Sequence, residues 1–173
     1  MTGLITRNRL IGLVLAALVY AADQWLKGFI TWTLRLPEKG KIDLLPFFDL
    51  TWVENHGVSL GMLTADSMEM RWALAALTGV IALVVFVWIL REKLLADILG
   101  LSLVLGGAAG NIDDRIMHGF VVDYADFHIG TFRPFLVFNL ADAAITIGVL
   151  IILARSFLSG EKPEAKAQAG EAA

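Results

Sequence analysis

Trp72 to Leu90 reads WALAALTGVIALVVFVWIL, a run without one charged residue. A helix needs about 20 mostly apolar residues to cross the hydrocarbon of a bilayer, so this stretch is the plainest crossing in the chain. Three others flank it. Leu10 to Trp32 is interrupted by Asp23 and Lys27, Leu94 to Ile112 carries only Asp97, and Phe135 to Leu158 holds Asn139 and Asp142 and reaches Arg155 at its far end.

The bulk composition agrees. The chain has 173 residues, 57% apolar and 18% charged, whereas soluble domains are nearer half apolar with about a quarter charged. The apolar excess falls in blocks, which points to a polytopic membrane protein. The expected fold is all-α: a four-helix transmembrane bundle with a small extramembrane β-structure and a short surface helix. One membrane domain over 1–158 is expected, with crossings at 10–32, 72–90, 94–112 and 135–158, and a disordered tail over 159–173. Cysteine is absent, which excludes a thiol nucleophile and thiolate metal sites. His56, His118 and His128 have no ligand spacing, so no metal and no cofactor are expected. A net charge of −3 without a basic stripe argues against nucleic acid.

Lysine and arginine divide evenly between the two sides of such a bundle. Position breaks the tie: Arg7, Arg9, Arg91 and Lys93 hug helix ends or fill a short loop, where the positive-inside bias operates. Both termini are therefore expected in the cytoplasm, leaving 33–71 and 113–134 outside. Within 33–71, Phe47 to Val53 is rich in β-formers and Asn55-His56-Gly57 signals a turn. Ala65 to Met70 reads as a short surface helix, and Phe120 to Ile129 alternates enough to pair with the first strand. Arg7, Arg9 and the apolar run after them also resemble a cleavable signal peptide. Asp23 and Lys27, spaced to pair on one helical face, favour a retained helix instead.

The chemistry gathers at two aspartates. Asp142 opens the uncharged run from Ala143 to Ala154, and a carboxylate at that depth is costly enough to mark a function by default. With a helix starting at Phe135, it lies roughly 10 Å below the helix start. Asp123 stands on the preceding loop. If the loop dips, the carboxyls meet, and two carboxyls about 3 Å apart share one proton. One can then take a proton from water while the other serves the carbonyl oxygen and the leaving amine. Asn139 shares a helix face with Asp142. Gly106-Gly107-Ala108-Ala109-Gly110 permits close helix contact, and Asn111, Asp114 and Arg115 follow at the membrane surface. Arg115 is placed to pair with Asp114 or to brace the loop.

Four blocks carry a family resemblance over nearly the whole chain. They are Asp23-Gln24-x-x-Lys27; Val53-Glu54-Asn55-His56-Gly57 with Gly61; Gly106-Gly107-x-x-Gly110-Asn111-x-x-Asp114-Arg115 running on to Gly119-Phe120-Val121-Val122-Asp123-Tyr124 and Asp126-Phe127-His128; and Phe138-Asn139-Leu140-Ala141-Asp142-x-x-Ile145-Thr146. In this order the chain resembles lipoprotein signal peptidase (signal peptidase II). The resemblance implies an intramembrane aspartyl endopeptidase of the bacterial inner membrane. Such an enzyme removes the signal peptide from a prolipoprotein whose lipobox cysteine carries diacylglycerol, close to the periplasmic face. It implies Asp123 and Asp142 as the catalytic pair, with Asp23, Lys27, Asn55, Gly57, Asn111, Asp114, Arg115 and Asn139 as supports for pair and substrate. It also implies a β-cradle, a small periplasmic helix, membrane lipid as surroundings and a chain acting as a monomer. Val58-Ser59-Leu60, Leu136 and Asp113 depart from the usual pattern, which bears on the cradle and the fourth helix rather than on the pair.

A second reading makes the same acids a proton relay in a small transporter or channel subunit. The polar groups collect at one membrane face and no inverted repeat is present, both of which weigh against it. A non-catalytic scaffold would not need so many such groups. A serine–lysine protease would use Ser59 and Lys27, which no motif singles out.

Overall fold

The computed structural model describes residues 6–57 and 68–159. Helix α1, Arg7–Gly28, is capped by Thr6 and passes into a π-helical turn, Phe29–Thr33. A one-turn helix α2, Leu36–Lys39, follows. Strands β1, Lys41–Leu45, and β2, Phe48–Asn55, form a hairpin. Helices α3, Met68–Arg91, and α4, Leu95–Met117, lead to β3, Val121–Phe127, and to α5, Leu140–Ser159. Among the described residues four helices are long and apolar enough to cross a membrane, and the chain is a multi-pass membrane protein.

Helix α4 is the centre of the bundle and packs on α1, α3 and α5. Its glycines make this possible. A side chain at Gly106 would run into Ala16 and Val19 of α1, and one at Gly107 into Ala141 and Ile145 of α5. In lipid no hydrophobic force drives helices together, so close backbone approach must supply the dispersion contact. The outward faces stay apolar and exposed, with Leu18, Leu83, Leu150 and Phe157 among them. The bundle thus turns its greasiest surface outward, toward lipid.

The three strands form one antiparallel sheet in the order β1-β2-β3. Val53 pairs with Asp123 and Asp49 with Asp126, with a bulge between Leu50 and Val53. Leu50, Val122 and Tyr124 pack on Ile30 and Leu36, so the sheet sits at the C-terminal end of α1. The expected pairing of the two outer stretches is present. The strand Lys41–Leu45 is an addition.

Two boundaries differ from the sequence reading, and both move functional residues. Helix α4 does not stop near Ile112 but runs to Met117, because the acids there are partnered rather than solvated. Helix α5 does not start at Phe135. Phe138 instead exchanges backbone hydrogen bonds with Ala125 of β3, and the helix opens at Leu140. Asp142 is therefore in the first helical turn, not seven residues deep. The short helix seen is Leu36–Lys39; Ala65 to Ser67 of the expected one lie outside the described residues, and Met68 to Met70 belong to α3. Val58-Ser59-Leu60, Gly61 and 160–173 also lie outside the described residues.

Candidate active site

The start of α5 explains the site. A helix leaves its first backbone N–H groups without helical partners, and here each of the first three finds one. Leu140 N–H donates to the Tyr124 hydroxyl at 3.1 Å, Ala141 N–H to Asp23 Oδ1 at 3.0 Å and Asp142 N–H to Asn139 Oδ1 at 2.9 Å. Asp142 Oδ2 accepts in return from Asn139 N–H at 3.2 Å. This is a reciprocal capping box built from Asn139 and Asp142. Its consequence is that the Asp142 carboxylate is fixed by the backbone N–H of Asn139.

The same asparagine holds the second acid. Asn139 Nδ2 donates to Asp123 Oδ1 at 2.7 Å, while Asn55 Nδ2 donates to Asp123 Oδ2 at 2.9 Å. Asp142 Oδ1 accepts from Asn111 Nδ2 at 2.8 Å. Both carboxylates thus hang from one residue, Asp123 from the Asn139 side chain and Asp142 from its backbone N–H, each with a further amide to orient it. Asp123 is 1% exposed. Burial pushes its carboxyl from the ordinary 3.8 up to about 6; the Asn55 bond opposes the rise, the nearby Asp142 charge adds to it and the Asn139 bond pulls it back.

Asn55 needs its own support. Its Oδ1 accepts from Gly57 N–H at 2.9 Å, which turns the amide NH₂ toward Asp123. Gly57 has φ of +100°, a conformation that glycine adopts at little cost. A side chain there would also meet Leu74.

Beneath the pair lies a buried ionic cluster. Lys27 Nζ sits 2.8 Å from both Asp23 and Asp114 and donates to Asn111 Oδ1 at 3.1 Å. That last bond fixes the Asn111 amide so that its NH₂ faces Asp142. Asp114 Oδ2 also accepts from Val122 N–H at 3.0 Å, tying α4 to the strand that carries Asp123. The Asp114–Arg115 pairing does not form, because Lys27 occupies Asp114. Arg115 donates from Nη1 to Asn111 O at 3.2 Å, and its buried Nε has no hydrogen-bond partner. Its charge acts on Asp142 and Asp123 from the same side.

All ten residues singled out in the sequence therefore meet in one connected site. Three others join it without having been counted among the site residues, although Gln24 and Tyr124 stand in the quoted sequence blocks. Gln24 Nε2 lies within reach of Gly110 O and Asp114 Oδ1, at 3.2 and 3.1 Å; its position beside Asp23 was the available signal. Tyr124 caps α5 and follows Asp123 directly. Arg71 donates to Arg115 O at 2.7 Å and to Ile116 O, and a lone arginine at a helix start gave no hint of that.

Two apolar clefts open at the site, one beside Asp142 and one beside its neighbours Asn111 and Arg115. One of about 360 Å³ is lined by Phe135, Leu136, Phe138, Asp142, Ala143, Thr146 and Ile147. Another of about 230 Å³ is lined by Thr78, Ile81, Val104, Ala108, Asn111, Arg115 and Ile145. Two hydrogen-bonded acids between greasy clefts suit hydrolysis of a bond carried by a membrane-borne chain. Among the described residues no cluster of His, Asp and Glu is arranged to hold a metal ion.

Comparisons with known proteins agree with this chemistry. Residues 15–158 match the family model described as signal peptidase (SPase) II. A lipoprotein signal peptidase of Sphingopyxis alaskensis is 52% identical over 151 residues, 87% of each chain. One of Rhizorhabdus wittichii is 52% identical over 154 residues, 89% of this chain and 90% of that one. A solved bacterial membrane enzyme superposes with a TM-score of 0.75 at 26% identity, covering 91% of this chain and 94% of its own. A second gives 0.72 at 29% identity, covering 84% and 92%.

Proposed function

The chain belongs to the signal peptidase II family, and on that premise we propose that Asp123 and Asp142 are its catalytic pair. The protein is an aspartyl endopeptidase that cleaves the signal peptide from prolipoproteins. The substrate carries diacylglycerol on its lipobox cysteine, and the bond cut is the one just before that cysteine. The observation that carries the site assignment is the Asn139 bridge, which holds both acids at the capped start of α5.

The chemistry follows from that arrangement. The pair shares one proton, and burial, which pushes the Asp123 carboxyl upward, favours its protonated form. Asp142 takes a proton from a water placed between the two carboxyls, and that water attacks the scissile carbonyl. Asp123 donates to the carbonyl oxygen as it gains charge. The tetrahedral intermediate then collapses, with the proton on Asp142 passing to the leaving amine and the carbonyl oxygen's proton returning to Asp123. Arg115, with an N–H to spare, serves the substrate backbone. The ionic cluster of Asp23, Lys27 and Asp114 holds Asn111 and, through it, Asp142.

The clefts beside the pair accept the substrate's apolar signal segment and acyl chains without drawing them from the bilayer. Orientation follows the same logic. Asn8 donates to Lys93 O and Arg9 to Glu92 O, so the N-terminal end of α1 and the α3–α4 loop share one end of the bundle. Their basic residues favour the cytoplasmic side for that end, which sets the acids near the periplasmic face of the inner membrane. The chain works there as a monomer. A proton relay lacks support, since the buried polar groups collect at the other end instead of spanning the bundle. The test is cleavage of a diacylglyceryl-modified lipobox peptide by the purified chain in liposomes, read by mass spectrometry. Expected is one cut before the lipidated cysteine, unaffected by chelators. Equal cutting of the unlipidated peptide would overturn the substrate assignment, and loss of activity with EDTA would overturn the metal-free chemistry.

A further inference from the structure

Beyond the bundle, the far end of the sheet joins a row of acids to a set of exposed apolar side chains. Asp43, Asp49 and Asp126 are cross-strand neighbours in one row across β1, β2 and β3. Like charges placed so are unfavourable unless neutralised. Lys41 lies 2.8 Å from Asp43 and 2.7 Å from Asp49, His128 lies 2.8 Å from Asp49, and Arg133 lies 3.0 Å from Asp126. Asp49 and Asp126 are each 2% exposed. Every ionisable side chain in 41–49 and 126–136 belongs to this network.

Beside the exposed Lys41, Asp43 and Arg133, large apolar side chains face outward there. The β1–β2 turn presents Leu44, Leu45 and Phe47, and the hairpin after β3 presents Ile129 and Phe132, the last two 68% and 64% exposed. The two tips lie side by side. The Phe47 and Phe127 rings are 5.7 Å apart, and His128 N–H donates to Phe47 O. Ile129 and Phe132 close a tight turn on each other. Contiguous exposed apolar surface of this kind marks contact with protein or membrane.

Continuity decides between the two. The chain runs from the second tip through exposed Phe135 and Leu136, which share a cleft with Ile147 on the outward face of α5. That face is lipid-covered in a membrane-spanning helix. We propose that the two hairpin tips, centred on Phe47 and Phe132, are embedded in the acyl layer of the bilayer alongside α5. They form a second, non-spanning anchor for the sheet that carries Asp123. The proposal rests on the membrane-spanning reading and not on the cleavage chemistry.

The cysteine-free chain makes the test direct. Single substitutions Phe47→Cys, Phe132→Cys, Glu38→Cys and Leu150→Cys are labelled with a small fluorophore and the full chain is reconstituted in phosphatidylcholine–phosphatidylglycerol vesicles. Quenching by acyl-brominated lipid is compared with quenching by iodide. Expected are tip labels quenched by brominated chains as strongly as the label at Leu150, and by iodide several-fold less than the label at Glu38. Iodide quenching equal to that at Glu38 would overturn the proposal, as would shielding from both quenchers, the sign of a protein cover such as a second copy. A Leu150 label untouched by brominated lipid would overturn the spanning reading and the anchor with it, whereas failure at the tips alone removes only the anchor.

Discussion

Replacing Lys27 with methionine isolates the cluster beneath the catalytic pair. Its side chain is 5% exposed, with Asp23 at 0% and Asp114 at 2%, and both acids lie 2.8 Å away. Methionine keeps most of the volume and removes the charge. Two carboxylates then remain buried without their cation, and breaking a buried ion pair from one side costs about 3–5 kcal/mol. The lost donor to Asn111 adds about 1 kcal/mol. In a chain of this size each kcal/mol moves the melting point by roughly 2–4 °C, so Lys27→Met should melt roughly 8–24 °C below wild type. The assay is thermal unfolding in detergent, followed by tryptophan fluorescence. Adding Asp114→Asn to Lys27→Met removes one stranded charge and should restore part of the loss. A Lys27→Met melt close to wild type, or a double variant worse by the full sum of both singles, would refute the reasoning.

Three further outcomes follow from the site. The Asp123 carboxyl, raised to about 6, binds its proton more tightly folded than unfolded. Folding stability therefore falls as pH rises from about 4 to above 6, by about 3 kcal/mol across that window. Asp123→Asn lacks this titration, so its melting point should gain on wild type over the same window; a pH-independent difference would contradict the shift. Asn139→Ala removes the cap of α5, worth about 0.5–2 kcal/mol. It also removes the Asp123 donor, a loss of roughly 10- to 100-fold in kcat/KM, carried by kcat in a cleavage assay. Gly57→Ala forces a side chain into a left-handed position against Leu74, at a cost of about 1–3 kcal/mol, and should lower both the melting point and kcat by releasing Asn55.

The four crossings were legible because membrane helices announce themselves by uninterrupted apolar length. Their outer ends were not. Composition alone stopped α4 at Ile112 because Asp113, Asp114 and Arg115 look solvated; Lys27, far away in sequence, is what lets the helix continue past them. The start of α5 was misread for a similar reason. Phe135 to Phe138 is apolar enough for a helix, but its backbone bonds go to Ala125 of β3. The Asn139–Asp142 spacing was visible as a shared face, while its meaning as a capping box needed the true helix start. Asn55 reaches Asp123 across 68 positions. Only the family resemblance pointed to it, since no local pattern marks such a partner. Strand Lys41–Leu45 was missed because five residues give too short an alternation to stand out, and it exists by pairing with β2.

The most direct measurement is cleavage of a diacylglyceryl-modified lipobox peptide by Asp123→Asn and, separately, by Asp142→Asn, each reconstituted in liposomes and shown by its melt to be folded. Neither variant should yield detectable product while wild type cuts before the lipidated cysteine. Product formation by either folded variant at the wild-type rate would contradict the assignment of these two acids as the catalytic pair.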